Sequence, residues 1–167
     1  MYTIQCDKCN LHKNGIHHPY IGSNAKYVIV GESPASAHWS LTPPDSKFWS
    51  IMAEHGFTQN EFAVIHSINC YNDNKPSEYH RDCCRPVVAK FIERVDPELV
   101  ICSGNFALHT LFGRWGINNY VNTVDERVLF KKTRKIMYWR NTNTINYNDK
   151  LIISIELLKE TVCGNIT

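Results

Sequence analysis

Three short apolar runs, each ending at a turn of small or polar residues, constrain the fold of this chain most. They cover residues 26–31, 62–67 and 98–102, lengths typical of strands buried on both faces of a sheet. Segments with helical spacing lie between and after them, at residues 48–54, 77–95 and 106–112. This alternation predicts a three-layer α/β/α sandwich with a central, mainly parallel, four-stranded sheet.

The last third of the chain alternates less cleanly. Residues 127–131 and 135–138 are predicted to form strands, and a final helix is predicted from Asn148 or Asp149 to about Lys159. No linker rich in Pro, Gly or Ser divides the sequence, so residues 1–167 are expected to form a single domain.

Polar residues follow the predicted parallel strands at their carboxyl ends. Glu32 follows the first strand in the sequence Gly31-Glu32-Ser33-Pro34, His66 ends the second strand, and Ser103-Gly104 follow the third. Ligands of such sheets bind beyond the carboxyl ends of the strands. These residues are therefore expected to meet at one edge and form a site.

Four of the cysteines have a spacing that suggests a metal centre. Cys6 and Cys9 form a C-x2-C pair, and Cys70 and Cys84 lie far downstream in polar sequence. Seven cysteines in a chain without a signal-peptide pattern favour metal ligation over disulfide pairing. The C-x2-C pair alone is also compatible with a zinc knuckle or a redox pair.

Charge and hydropathy limit the possible functions. No apolar run approaches the roughly 18–20 residues of a membrane span, and we expect a soluble cytoplasmic protein. The net charge is only +2, so a nucleic-acid partner would need clustered basic residues.

The order of these motifs resembles the iron–sulfur class (family 4-like) of uracil-DNA glycosylases, with this chain as a divergent member. The resembling segments are residues 6–13 (C-x2-C-x-L-H-K), 31–35, where Ala35 replaces a glycine, Cys70 after a strand, 84–86, 96–97 and 102–107. Together they span most of the chain. The resemblance implies a monofunctional DNA glycosylase that removes uracil or a modified pyrimidine from DNA and acts as a monomer.

The resemblance also implies a 4Fe-4S cluster bound by Cys6, Cys9, Cys70 and Cys84. Four thiolates equally suit zinc, and spacing alone does not separate the two metals. Cys83 is the alternative to Cys84, which fits the family register better because Arg-Pro follows it. Cys102 and Cys163 are interpreted as buried or incidental thiols.

In the implied active site, Glu32 orients water and opposes positive charge on the sugar. The alternative is a structural carboxylate at a helix or loop. His66 stands where the family has a base-reading asparagine, and Gly31 and Pro34 also lie beside the base. The stacking aromatic is Trp39, with His38 and Phe48 as alternatives.

The chain departs from the family near its C-terminus, where the family has a His-Pro motif that stabilises the leaving base. No histidine follows His109, and Arg140 or Asn141 is expected to supply a positive charge or hydrogen bond instead. A nucleic-acid-binding relative without glycosylase activity is the alternative function. A redox or zinc protein is a third.

Basic residues accompany Tyr138 and Trp139 in the same region, and this run is expected to border the ligand edge. The mixture suits phosphate contact together with insertion or stacking on DNA, although a solvated strand-and-turn face is also possible. The basic members are Lys131, Lys132, Arg134, Lys135 and Arg140, with Lys8 and Lys13 as further phosphate contacts.

Overall fold

The structure is a computed structural model that describes residues 2–34, 41, 46–72, 77–141 and 148–164. Six strands form one sheet in the order β1-β3-β2-β4-β6-β5. The strands are β1 (Tyr20–Ile21), β2 (Tyr27–Gly31), β3 (Phe62–His66), β4 (Leu99–Ser103), β5 (Val124–Leu129) and β6 (Lys132–Trp139). The helices are α1 (Lys47–Glu54), α2 (Glu78–Val95), α3 (Asn105–Phe112) and α4 (Asn148–Cys163).

The three-layer α/β/α architecture is confirmed. Strands β3, β2, β4 and β6 are mutually parallel and form the predicted four-stranded centre. Helices α1 and α4 pack one apolar cluster against the sheet, and α2 and α3 pack a second cluster against the other face. Burial on both faces explains why the central strands are continuous apolar runs.

Two antiparallel edge strands enlarge the sheet beyond the four strands predicted. β1 pairs only two residues with β3, and β5 pairs with β6 as a hairpin. The hairpin turn contains Phe130 and Lys131, both with positive φ. The predicted strand at 127–131 therefore runs wrongly through this turn, because Phe-Lys lacks the Asn-Gly signal that usually marks such turns.

Local capping positions the helices. The Ser46 hydroxyl accepts a hydrogen bond from the Trp49 amide at the start of α1. Ser77 and His80 form a reciprocal capping pair at the start of α2.

Within the described part of the chain, no helix is both long and apolar enough to span a membrane.

Candidate active site

The carboxyl ends of the four parallel strands meet at one edge of the sheet. Gly31 of β2 is in register with His66 of β3, and Ser103 of β4 is in register with Trp139 of β6. Glu32, His66 and Gly104 are therefore brought together as the sequence predicted. The residues after β6, beginning with Arg140, reach the same edge.

Glu32 is fixed by contacts from the segments that follow β6 and β3. The Asn141 side-chain amide donates to Glu32 Oε2 at 2.6 Å, and the Ile68 amide donates to the Glu32 carbonyl oxygen at 3.1 Å. The side chain is half-buried. The carboxylate is thus held in place while it keeps access to solvent, as a group that acts on a bound molecule requires.

Gly104 gives the Glu32 carboxylate room. A Cβ atom placed on Gly104 would lie 2.6 Å from Glu32 Oε1, which is too close for any non-bonded pair. Gly104 also has φ +89° and ψ 172°, a backbone conformation that is nearly restricted to glycine. Both facts require glycine here.

His66 lies beside Glu32 as a buried, neutral imidazole. Burial, reinforced by the neighbouring His17, lowers the pKa of His66 to about 3. The two rings meet edge to face at 5.2 Å, and the Nδ1 atom of each is buried without a hydrogen-bond partner among the described residues. Each of these buried nitrogens can donate or accept one hydrogen bond.

The low pKa of His66 predicts a loss of stability in mild acid. The pKa is 6.5 ordinarily and about 3 in the fold, so the unfolded chain takes up a proton first as the pH falls below about 6.5. From pH 7 to pH 5 this costs on the order of 2 kcal/mol of unfolding free energy. His66→Gln should lose less stability over that interval in denaturant titrations at both pH values. Equal losses in the two proteins would contradict the prediction.

Arg140 bonds to residues at the rim of the site. Its Nη1 donates to Asn118 Oδ1 at 2.8 Å, and its carbonyl oxygen accepts from the Ser103 hydroxyl at 3.0 Å. Of the two C-terminal residues predicted to act at the site, Asn141 contacts the carboxylate. Arg140 ties the end of β6 to the loop after α3.

Sequence reasoning missed two residues near this edge. His17 lies in a segment without regular structure, and its amide donates to the Asn69 carbonyl at 2.6 Å, which brings it next to His66. Arg81 of α2 is only 4 % exposed, and Glu32 is among the carboxylates that act on its charge. The buried helical arginine was the available signal, since charged residues are rarely buried without a specific environment.

Of the three candidate stacking aromatics, Phe48 lies in the core. Phe48 is fully buried and packs against Trp49 and Trp139 in the core, so it has no free face for a base. Trp39 and the alternative His38 lie outside the described residues. Pro34 is half-buried just after Glu32, and Gly31 allows the His66 ring and Leu41 to approach the strand end closely.

Four of the five basic residues of the run lie at the opposite end of the strands, so the expectation that they border the site is wrong. Arg140, the fifth, does lie at the rim of the site. β6 is parallel to β4 and starts at Lys132, which places the amino end of β6 about 23 Å from Trp139. Lys132 and Arg134 pair there with Asp96, at 2.6 and 2.9 Å. The remaining members of the run, Lys131 and Lys135, belong to the same end of the strand.

Tyr138 and Trp139 are at the correct end of β6 but are buried in the core, with 1 % and 0 % exposure. The Tyr138 hydroxyl donates to Asp125 Oδ1 at 2.9 Å. The predicted insertion or stacking of these two rings on DNA is therefore wrong for this structure, because each ring is covered by a helical layer.

The N-terminal segment is joined to the loop after β3 and to the first turns of α2. Ile16 forms an isolated bridge with Cys70, and the Tyr71 amide donates to the Gly15 carbonyl at 3.0 Å. The Tyr79 hydroxyl donates to the Lys8 carbonyl at 3.3 Å. These contacts bring the C-x2-C pair close to the downstream cysteines.

Two cysteines of the predicted centre, Cys70 and Cys84, have raised pKa values. Burial, together with the Cys84, Cys9 and Cys6 thiols, raises the pKa of Cys70 to about 11. Burial also raises the pKa of Cys84, with contributions from Cys6, Cys9 and Cys83. Four soft sulfur donors suit an iron–sulfur cluster or zinc. Among the described residues, no group of three or more His, Cys, Asp or Glu is arranged to hold a single metal ion.

Comparison with known proteins adds family information to this geometry. The model of the uracil DNA glycosylase superfamily matches residues 18–160. A Type-4 uracil-DNA glycosylase from Archaeoglobus fulgidus is 24% identical over 118 residues, which are 65% of this chain and 59% of the relative. The match thus spans about three fifths of that relative's length.

Proposed function

The chain belongs to the uracil DNA glycosylase superfamily, and from this we propose that it is a monofunctional DNA glycosylase acting on uracil or a modified pyrimidine. The observation that carries the proposal is the Glu32 carboxylate, held by Asn141 at the edge where four parallel strands end. Such a carboxylate opposes the positive charge that develops on the sugar as the base departs. It also orients the water that attacks the sugar.

The two neutral histidines support recognition of a pyrimidine. A neutral imidazole has one N–H donor and one acceptor nitrogen, and a pyrimidine edge offers both carbonyl oxygens and an N–H group. His66 would donate to a carbonyl oxygen of a base flipped out of the DNA, and this bond would strengthen as the leaving base becomes negative. A pKa of about 3 keeps the His66 ring neutral throughout the physiological range.

We propose that Cys6, Cys9, Cys70 and Cys84 hold a 4Fe-4S cluster. The Cys6, Cys9 and Cys84 thiols all act on the Cys70 thiol, which supports the set, and Cys84 is buried like Cys9 and Cys70 whereas Cys83 is partly exposed. Cys83 Sγ instead lies 3.7 Å from the Lys8 carbonyl, and Cys83 is absent from the groups that act on Cys70. The cluster would serve as a covalent clasp between the N-terminal segment and α2, while the chemistry takes place at Glu32.

The proposed activity is tested by incubating the protein with oligonucleotides that contain one uracil, single-stranded or paired with guanine or adenine. Heating in alkali then cleaves each abasic site. Release of free base and strand cleavage at the uracil position are expected, and a panel of modified pyrimidines defines the preferred base. Retained binding without cleavage of any member would favour the alternative of a non-catalytic DNA-binding relative. The lack of a histidine after His109 supports this alternative.

Gly104→Ala is expected to lower both stability and the rate of base release. The strained backbone costs about 1–3 kcal/mol of unfolding free energy. The new Cβ also displaces the Glu32 carboxylate, and a displacement of about 1 Å can reduce the rate about 10²-fold. Thermal unfolding and single-turnover base release measure the two effects.

Gly113→Ala provides the matched control for that substitution. Gly113 has φ +67°, but a Cβ there would meet no atom within 4 Å. The Gly113→Ala variant should therefore be less stable than the wild type and should release the base at the wild-type rate. Equal rates in the Gly104 and Gly113 variants would show that Gly104 does not position Glu32.

A further inference from the structure

The loop between α3 and β5 is tied to the candidate active site at two points. Asn105, which follows Gly104 directly, accepts hydrogen bonds through its Oδ1 from the Gly116 and Ile117 amides at 3.0 and 2.8 Å. Asn118 accepts from Arg140 at 2.8 Å. Gly104 leaves space for the Glu32 carboxylate, and Arg140 precedes the Asn141 that bonds to that carboxylate. The loop therefore forms part of the rim of the site.

Trp115 projects from this loop and is 47 % exposed. Its ring stacks on His109 with centroids 4.4 Å apart and an interplanar angle of 22°. The Arg81 guanidinium lies 4.8 Å from the indole centroid and 4.6 Å from the Phe106 centroid. The indole is thus braced by a ring and a cation, while about half of its surface stays in water.

These contacts fix the orientation of an exposed tryptophan. A rim tryptophan fixed in orientation offers a flat surface with little rotational entropy left to lose on binding. Base–aromatic stacking of this kind is the main sequence-tolerant contact of proteins that bind single-stranded nucleic acid. The adjacent Arg114 is also exposed and can reach a phosphate.

We propose that Trp115 is a second base-binding site, which stacks on an unpaired nucleobase close to the nucleotide that enters the Glu32 site. This proposal rests on the proposed function in requiring DNA as the partner. It supplies an aromatic contact that Tyr138 and Trp139, buried in the core, do not provide. The substrate class that fits is single-stranded DNA or a duplex opened around the target base.

The test is a double-mutant cycle that combines substitutions of Trp115 with the removal of single bases from the DNA. The probe is a short single-stranded oligonucleotide with one 2′-fluoro-deoxyuridine, a substitution that slows cleavage of the glycosidic bond. Companion oligonucleotides lack one base at each flanking position in turn. Dissociation constants are measured for the wild type, Trp115→Ala, Trp115→Phe and Trp115→Leu, with Val128→Ala as an exposed control on β5.

Trp115→Ala should weaken binding about 5- to 150-fold, while Trp115→Phe should retain most of the affinity. At one flanking position, removing the base should weaken binding by the wild type but not by Trp115→Ala. Trp115→Leu keeps an apolar cover over Arg81 and His109, so equal losses in the Leu and Ala variants with unchanged melting temperatures would exclude a folding effect.

Four results would overturn the proposal or separate it from the proposed function. Unchanged affinity in Trp115→Ala, or additive effects at every flanking position, would overturn it even if uracil is released normally. Suppose that at one flanking position base removal weakens binding by the wild type but not by Trp115→Ala, while the protein releases no base. This result would support the Trp115 site and refute the glycosylase activity. No binding of the oligonucleotide by the wild type would refute both.

Discussion

Glu32→Gln is expected to lower the single-turnover rate of base release about 10²–10⁴-fold, with little change in affinity for DNA. Glutamine has the same shape and still accepts the hydrogen bond that Asn141 donates at 2.6 Å. It lacks the negative charge that opposes the cationic sugar and the basicity that orients water. The loss should therefore appear in the chemical step and leave binding intact.

Two comparisons make this result interpretable. Glu98→Gln removes an exposed carboxylate at the amino end of β4 and should leave the rate unchanged. Asn141→Ala keeps the Glu32 charge but removes its donor, so its rate should lie between those of the wild type and Glu32→Gln. A normal rate in Glu32→Gln would refute the catalytic role and leave Glu32 as a structural carboxylate.

The parallel centre of the sheet was predictable because its signal is local. Each of the strands β2, β3 and β4 is a short apolar run followed by a residue that ends it. Parallel strands necessarily bring those ends to one edge of the sheet. Glu32, His66 and Gly104 could therefore be grouped without knowledge of tertiary contacts. The edge strands gave no such signal, because β1 has only two residues and β5 turns at an atypical Phe-Lys pair.

The position of the basic run shows where this reasoning fails. Lys132 and Trp139 are close in sequence, but they lie at opposite ends of the extended strand β6, and the length of the strand separates them. The burial of Tyr138 and Trp139 was hidden for a related reason. Successive residues of β6 point to opposite faces, and helices cover both faces, so neither ring remains at the surface.

The missed site residues depend on long-range contacts. Arg81 belongs to α2 and Trp115 to a loop more than thirty positions later, yet their side chains meet above the same edge. His17 reaches His66 only because the N-terminal segment is hydrogen-bonded to the loop that contains Asn69. No periodic pattern in the sequence reports contacts of this kind.

Cys84→Ser is expected to abolish iron binding and to release the N-terminal segment from the rest of the protein. A serine hydroxyl is a poor substitute for a soft thiolate ligand. A structural metal centre can contribute on the order of 10 kcal/mol of binding free energy, comparable to the whole stability of a typical domain. The segment around Cys6 and Cys9 buries few apolar side chains of its own, chiefly Ile4. The purified variant should lack the visible absorption of the cluster and be cut readily by trypsin at Lys8 and Lys13.

Cys83→Ser and Cys163→Ser provide the matched controls, because one alters the adjacent thiol and the other an exposed thiol near the end of α4. Both should keep the wild-type iron content and the same resistance to trypsin. Loss of iron in Cys83→Ser with retention in Cys84→Ser would move the fourth ligand by one residue. A colourless wild-type protein that contains zinc would replace the cluster with a zinc site. In that case the proposed clasp would remain, because zinc bound by Cys6, Cys9, Cys70 and Cys84 would join the same segments.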